Sequence, residues 1–494
     1  MVLRILLIGF AALAARGDGF LFVDVSAQAG LDYELTPPRS GAAVGDFDLD
    51  GLPDVSFAGG VPFGPQLYRN NGDGTFSNVT SVALPTSLHD ASHSLMADLD
   101  NDGDPDLIIA RRYDGNWRDT GFYYYENIAG VFWPSAQAGE PARDPTSLGG
   151  LAVADLDNDG HLDVVFAHNG ANGGVGGPGF LLRNDNGAFS DATTLWGGGF
   201  NGIRRHWSAV AADFNGDGRV DVHAAVDFGA DFQCRNVGYD GFSDVSASSG
   251  VTNVGSDMGL AIGDIENDGD LDIYSTNIYQ GVLYRNNGQG QFEDRAAARG
   301  VAFFVGTGWG ATFSDLDHDR DEDLVCVTVG GAGELFENDG AGFFTTATGS
   351  SGLALSGQSL TPFDYDLDGD LDLLILDREG LPRLYENRSA LGGRHWLNLR
   401  LAGARSNRDS VGARVRVTAG GVTQTRVILG GYSFFAGPPM EAHFGLGDAA
   451  VAERVAVRWP SGARLALTNV AADQFLTLAE PANHEQLERH AQPR

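Results

Sequence analysis

The sequence predicts an all-β protein, a seven-bladed β-propeller closed by an N-terminal strand and followed by a small β-sandwich-like domain. Three observations carry that expectation. A nine-residue acidic pattern, Asp-x-[Asp/Glu/Asn]-x-Asp-[Gly/Arg]-x-x-Asp, recurs from Asp46, Asp98, Asp155, Asp213, Asp264, Asp315 and Asp364, with starts 49 to 58 residues apart. A period near fifty residues with short apolar runs is that of a four-stranded blade. Glycine supplies 70 of 494 residues without a collagen period, about twice the usual ~7%, as many tight turns require. Apolar residues at 43% and aromatics at 10% exclude a chain that stays solvated.

Taken in order, residues 1–16 read as a signal peptide: Arg4, the apolar run Ile5 to Leu13, then small residues with Ala12 and Ala14 spaced as for cleavage. The run is too short to span a bilayer, and no later stretch reaches ~18 apolar residues. The propeller then covers 20–389. Each acidic turn leads into an apolar strand, such as Val55 to Ala58 or Leu373 to Leu376. A dozen or more residues on, an aromatic or similar residue, one intervening residue and Asn follow, as in Tyr68-Arg69-Asn70 and Tyr284-Arg285-Asn286. A Gly-rich turn and a Phe-led fourth strand complete the unit, as at Phe76, Phe189, Phe242 and Phe292. The seventh repeat ends at Asn387 without a fourth strand, and Phe22-Val23-Asp24-Val25-Ser26 stands unused before the first turn. A strand from one end completing the last blade closes the ring and removes open sheet edges. Residues 391–482 alternate apolar and polar through Trp396 to Leu401, Ala413 to Thr418 and Arg454 to Trp459, as strands of a second domain do. The polar tail 483–494 reads as frayed or a short helix. Cys234 and Cys326 fall at non-equivalent positions of different repeats and read as buried thiols.

Oxygen donors at positions 1, 3, 5 and 9 with a backbone carbonyl at 7 describe a compact Ca²⁺ loop, up to seven in all. Position 1 holds Asp46, Asp98, Asp155, Asp213, Asp264, Asp315 and Asp364; position 3 holds Asp48, Asp100, Asp157, Asn215, Glu266, Asp317 and Asp366. Position 5 is Asp50, Asp102, Asp159, Asp217, Asp268, Asp319 and Asp368; position 9 is Asp54, Asp106, Asp163, Asp221, Asp272, Asp323 and Asp372. The carbonyls at position 7 belong to Leu52, Asp104, His161, Arg219, Asp270, Asp321 and Asp370. Hard oxygen donors suit Ca²⁺, whereas Zn²⁺ prefers His or Cys and Mg²⁺ keeps more of its water. An EF-hand needs twelve residues and a closing Glu, but strand begins here at position 10. One acidic β-turn bonding its own backbone would be ordinary; seven in register point to metal. The sixth copy places Arg320 where the others have Gly, so a left-handed backbone there would cost about 1 kcal/mol and make it the weakest site.

The net charge is −34, from 66 acidic and 32 basic residues, every one of the latter Arg. The absence of Lys excludes a lysine Schiff base or a P-loop lysine, and the acidity argues against nucleic acid or anionic membrane as the main partner. The turns hold 32 of the 66 acidic residues, so the charge is largely metal scaffold. From residue 394 onward, 12 Arg face 8 acidic residues, a net of +4 against −38 for the rest. A basic C-terminal domain either docks on the acidic ring or hangs from it as a tethered module.

The repeats closely resemble the FG-GAP or VCBS repeats of integrin α-subunit propellers and secreted bacterial proteins. Ser406 to Val415, Gly430-Gly431-Tyr432, His443 to Gly447 and Val457-Arg458-Trp459-Pro460-Ser461-Gly462 resemble the ASPIC/UnbV domain, with Ser410 where that pattern often has Gly. The combination is that of the cartilage acidic protein family. It implies a secreted calcium-binding protein with an adhesive or undefined role, extracellular or, in a bacterium, periplasmic or cell-surface, and it implies no reaction.

On the face opposite the turns the sequence gathers His89, His93, Arg111, Arg112, Trp117, Arg204, Arg205, His206, Trp207 and Trp309. Arg and aromatic residues at one mouth suit an extracellular protein or a carbohydrate; equally, Trp207 and Trp309 could pack the channel. The leading expectation is a non-enzymatic recognition or adhesion module with structural calcium. The alternative is a polysaccharide-active lyase or hydrolase, which needs a carboxylate pair at that mouth. A cofactor-dependent oxidoreductase has no readable motif in the chain.

Overall fold

The computed structural model describes residues 19–31, 41–59, 64–84, 91–111, 122–135, 147–170, 179–200, 202, 204–377, 381–389, 392–482 and 487–490. The expected signal peptide lies outside them. Among the described residues, seven antiparallel strand quartets follow one another. The first is Ala42–Gly45, Asp54–Phe57, Gln66–Asn70 and Phe76–Asn78; the fourth is His206–Ala212, Asp221–Ala230, Phe232–Asn236 and Phe242–Asp244. In each quartet a first strand ends in the acidic turn, and position 9 of that turn begins the second strand. The innermost strands pack in a closed cycle, with Ser359–Phe363 of the last quartet against Ala42–Gly45 of the first. The last quartet takes its fourth strand from Phe22–Asp24, paired with Pro382–Asn387 in the register Phe22 to Asn387 and Asp24 to Tyr385. Blades pack through buried residues that alternate along the strands, as in the cluster of Phe57, Tyr68, Phe76, Phe363 and Leu374 shared by the first and last blades. Cys234 and Cys326 are buried free thiols.

The C-terminal part folds as two sheets. One orders Glu441–Gly447, His395–Ala402 and Phe475–Ala479; the other orders Val422–Val427, Arg414–Ala419, Val451–Arg458, Arg464–Ala471 and Leu487–His490. Leu397, Leu399 and Phe444 of the first sheet meet Val415, Val417 and Val455 of the second in one core. Ser410 sits at φ +58°, which explains why a glycine serves there, and its hydroxyl accepts the indole N–H of buried Trp459 at 3.1 Å. The tail departs from the frayed or helical expectation, because Leu487–His490 pairs in parallel with Leu465–Thr468. That strand covers an edge that would otherwise present unpaired backbone groups.

The choice between docked and tethered is settled by contact, since the two parts share a continuous core. The segment following Val422–Val427 leaves the second sheet and enters the ring's channel. Gly430 O accepts the N–H of Val153 (2.7 Å), Ser433 N–H donates to Leu260 O (2.9 Å), and Ala436–Gly437 pairs with Ala42–Ala43. Ser433 Oγ accepts Ala311 N–H at 3.1 Å, and Phe435 O accepts Ser359 Oγ at 3.4 Å. Gly41 permits this approach, because a Cβ there would stand 1.7 Å from Phe435 O.

Candidate metal centre

Carboxylates wind each acidic turn. Asp46 at position 1 accepts the N–H groups of Asp50 (3.0 Å) and Gly51 (2.8 Å), and Asp155, Asp213, Asp264, Asp315 and Asp364 repeat this with positions 5 and 6. To close so tightly the backbone turns left-handed twice, at position 6 and also at position 4, where Leu49, Asn101, Asn158, Asn267, His318 and Leu367 lie at φ +55 to +61°. Asn at three of these and Gly216 in the fourth copy were the available sequence signal. Arg320 takes φ +87° where the other copies have glycine at +89 to +109°, as the spacing demanded.

Position 9 ties the turn to the blade. Asp54 accepts the N–H of Phe47 (3.1 Å) and of Asn70 (2.8 Å), and this Asn is the one of the aromatic-x-Asn signature. Its role could not be read from one repeat. In all seven copies its Nδ2 donates to the position-8 carbonyl of its own turn and to the position-2 carbonyl of the preceding blade's turn. These second bonds run from Asn70, Asn127, Asn184, Asn236, Asn286, Asn338 and Asn387 to Tyr365, Phe47, Leu99, Leu156, Phe214, Ile265 and Leu316 at 2.7 to 2.9 Å. Asn70 to Tyr365 joins the first repeat to the last.

Five turns bring carboxylate oxygens within 4.8 Å of one another: Asp46, Asp48 and Asp50; Asp98, Asp100 and Asp106; Asp155, Asp157 and Asp163; Asp315, Asp317 and Asp319; Asp364, Asp366 and Asp372. Several oxygens, including Asp48 Oδ1, Asp98 Oδ1, Asp104 Oδ1 and Asp321 Oδ1, are buried with no hydrogen-bond partner. Burial first, and neighbouring carboxylates with it, pushes Asp54, Asp98, Asp106 and Asp364 up to about 8, and Asp155 up to about 7, against the opposing pull of the backbone N–H bonds they accept. Groups this reluctant to ionise together, all oxygen donors, fit a hard divalent cation. The grouping of the carboxylates differs from copy to copy. The sixth turn keeps its carboxylates grouped, whereas the fourth turns Asn215 Nδ2 onto Asp221 (3.2 Å) and the fifth draws Glu266 toward Arg285 and Arg299. Arg69 and Arg183 lie across the outer carboxylates, 2.6 to 2.8 Å from Asp48, Asp50, Asp157 and Asp159; at over 40% exposure they add little stability.

The C-terminal domain covers this face. Arg400 donates to Gly51 O (3.4 Å), Asp409 accepts Asp98 N–H (2.7 Å), Arg414 donates to Gly269 O (2.6 Å) and His443 Nε2 bonds Gly369 O (2.9 Å). At the sixth turn Gly445 N–H reaches Asp315 (3.1 Å) and Arg394 pairs with Asp317 (2.7 Å). The third and fourth turns abut Arg405 and Arg458, as a Cβ on Gly160 or Gly218 would find. The sixth turn's odd residues belong to this contact: Arg320 reaches the carbonyls of Ala419 and Gly420 (3.5 and 3.4 Å), and buried Glu322 pairs with Arg426 at 3.1 Å. A cavity of about 230 Å³ remains between the first two turns and the cap, lined in part by Asp46, Asp98, Asp104, Arg400 and Asp409.

On the opposite face the expected residues separate. His89, Arg112 and Trp117 lie outside the described residues, as does the Arg111 side chain, whose backbone ends a strand. Arg204 lies 4.1 Å over Phe232 and bonds Asp244 at 3.0 Å, and Arg205 lies 5.1 Å over exposed Phe228. His206 departs from the open mouth expected of it, and of the two expectations for Trp207 and Trp309 it is packing of the channel that the structure shows. His206 is buried and stacked on Phe200, and burial holds its imidazole down at about 3. Trp309 is buried 4.5 Å from Phe434 and 5.6 Å from Trp207. The reason is the inserted segment, whose Phe434 and Phe435 fill the channel around which both indoles pack.

Family models match the repeats and the C-terminal domain. An FG-GAP-like repeat model matches residues 46–109, 98–166, 155–224, 264–326 and 315–375, and an ASPIC and UnbV model matches 403–485. Cartilage acidic protein 1 of Xenopus tropicalis is 26% identical over 61% of this chain and 51% of its own length; the Homo sapiens protein is 26% identical over 50% and 42%. The chain therefore spans about half the length of the curated relatives it matches. Among solved structures it is similar to an Agrocybe aegerita lectin described for recognition of non-reducing terminal N-acetylglucosamine, at 18% identity and TM-score 0.44 over 71% of this chain and 95% of that one. The BP39L lectin of Burkholderia pseudomallei gives 12% and 0.46 over 72% and 96%.

Proposed function

For a chain that belongs to the FG-GAP-like repeat family and carries an ASPIC and UnbV domain, we propose the role of a secreted, calcium-binding recognition or adhesion module without catalysis. The observation that carries this reading is the set of grouped turn carboxylates with buried oxygens left unpartnered. Bound Ca²⁺ supplies the positive charge those carboxylates lack. The chain's own residues do the rest: position 1 winds the turn, position 9 holds the signature Asn, and the Asn Nδ2 reaches the neighbouring blade. With the turn face covered by the cap, a partner protein or carbohydrate meets the other face, where Arg205 and Phe228 stand. Among the described residues no helix is long and apolar enough to cross a membrane. The polysaccharide-active alternative requires a reachable carboxylate pair on that face; Asp231 and Asp257 are 1% and 0% exposed, out of reach of a sugar.

Thermal unfolding of the full chain with excess Ca²⁺ and with a chelator tests the metal. Each site held at 100 times its Kd adds about 2.7 kcal/mol, so the chelated midpoint should fall by many degrees. An unchanged midpoint refutes structural calcium. For recognition, glycan and extracellular-protein arrays probed with wild type and Arg205→Ala should lose signal in the variant; equal signal rejects this face.

A further inference from the structure

Each aromatic-x-Asn signature lies at the end of a third strand, held beside its own acidic turn because the Asn backbone N–H donates to position 9. The middle residue of the signature differs in sign from blade to blade. It is Arg69, Arg183, Arg235 and Arg285 in the first, third, fourth and fifth, and Glu126, Glu337 and Glu386 in the second, sixth and seventh. Three of the arginines take one pose, with Nε and a terminal nitrogen on the carboxylates at positions 3 and 5. Arg69 reaches Asp48 and Asp50 at 2.6 and 2.8 Å, and Arg183 reaches Asp157 and Asp159, both at 2.7 Å. Arg285 holds Glu266 and, at 3.1 Å, Asp268. Arg235 turns away to Gln289 O (3.1 Å), and Arg219 of the fourth turn pairs with Asp217 instead (2.6 Å).

The glutamates put the opposite charge in the same place. Burial first, then neighbouring carboxylates that include Glu126, raises Asp100 and Asp104. In the sixth and seventh blades the added charge is partly offset, by Arg394 on Asp317 (2.7 Å) and by Arg388 on Glu386 itself (2.6 Å). The first turn holds four acidic residues and, with Arg69, a formal charge of −3; the second holds five and, with Glu126, −6. Asp98 of the second turn is 2% exposed and its Oδ1 has no hydrogen-bond partner. A guanidinium lying on carboxylates repels a second cation at the same carboxylates, and a further carboxylate beside them attracts it. We propose that the middle residue of the signature tunes the affinity of each turn for its cation. Arg69, Arg183 and Arg285 are tethered counter-cations that weaken the first, third and fifth turns, and Glu126 is an added charge that strengthens the second. This assignment rests on the calcium reading of the turns. The three arginine side chains are 37 to 44% exposed, so their loss costs the fold little.

The probe is Ca²⁺ itself. The full chain is stripped of metal and titrated with Ca²⁺ in competition with a chromophoric chelator, which reads the number of equivalents and their affinities directly. Arg69→Gln, Arg183→Gln and Arg285→Gln should each move one equivalent to about ten-fold tighter binding, and Glu126→Gln should move one to about ten-fold weaker binding. Arg69→Lys keeps the charge and should titrate as wild type. An Arg→Gln variant that binds no tighter than wild type overturns the proposal, as does Glu126→Gln binding as wild type does. Arg69→Lys following Arg69→Gln overturns it too, because charge is then not the cause. Uptake of no calcium by wild type overturns the calcium reading together with this assignment, whereas uptake unmoved by the variants overturns this assignment alone. Should Glu126→Gln fail to fold, the three exposed arginines carry the test.

Discussion

Replacing Asn70 by Ala should open the ring at its seam. The side chain is 1% exposed and joins residues 295 apart in sequence, through Nδ2 to Tyr365 O (2.8 Å) and to Pro53 O (3.2 Å). Alanine removes both bonds, as well as the one that Asn70 Oδ1 accepts from Gly72 N–H (3.0 Å), and leaves two carbonyls in the interior without these donors. At about 1–2 kcal/mol for each buried acceptor left unmade, the loss is roughly 2–4 kcal/mol. Across a ring running from Phe22 to Asn387, roughly 370 residues at about 2.1 cal/mol/K each, that is a Tm drop of about 3–5 °C. The measurement is thermal unfolding in saturating Ca²⁺ followed by tryptophan fluorescence. Asn127→Ala breaks the equivalent bonds to Phe47 O and Pro105 O and should cost the same. Asn71→Ala loses only exposed bonds, one to Thr75 and one from Ser77, and should stay within about 0.5 kcal/mol of wild type. If Asn70→Ala melts with Asn71→Ala, the inter-blade bond does not hold the ring and the reasoning fails.

Glu322→Ala leaves the largely buried Arg426 guanidinium without its only carboxylate among the described ion pairs and should cost up to about 3–5 kcal/mol, most of it recovered in Glu322→Leu with Arg426→Met; a double variant no better than the single one contradicts this in urea unfolding. Arg320→Gly relieves a left-handed backbone at the expense of two long bonds, so its Tm should rise by the equivalent of up to about 1 kcal/mol, and a fall would show that the cap contact dominates. The turn carboxylates set a pH dependence. Asp54 and Asp98 rise from 3.8 to about 8 on folding, so the metal-free fold keeps their full proton-linked stability below about pH 4 and loses it as pH rises through about 8. Chelated protein should therefore melt lower at pH 9 than at pH 6, while calcium stabilises more at pH 9; a chelated Tm that climbs with pH contradicts the assignment.

How much was legible in the sequence follows from the range of each interaction. The turns could be read because positions 1, 3, 5 and 9 act within nine residues, and even the cost at Arg320 was visible from its place in the pattern. The closing strand could be read because one repeat lacked a fourth strand and the chain offered a spare one. The left-handed position 4 was harder, since Leu49, His318 and Leu367 hide what Asn and Gly show in the other copies. The partner of each signature Asn was hidden entirely, because its acceptor belongs to the blade before it and, for Asn70, to the far end of the chain. Trp207 and Trp309 could be placed at one mouth but not opened or closed, since Phe434 and Phe435 come from another domain.

The sequence by itself determined the repeat, the oxygen-rich turns, the ring's closing strand and a charge of −34 concentrated in those turns, because these are periodic features of local spacing. Only the tertiary structure decided that the basic C-terminal domain lies over the turn face and that its Phe434 and Phe435 plug the channel. Those contacts depend on surfaces brought together by ring closure, and no spacing along the chain encodes the distance between them.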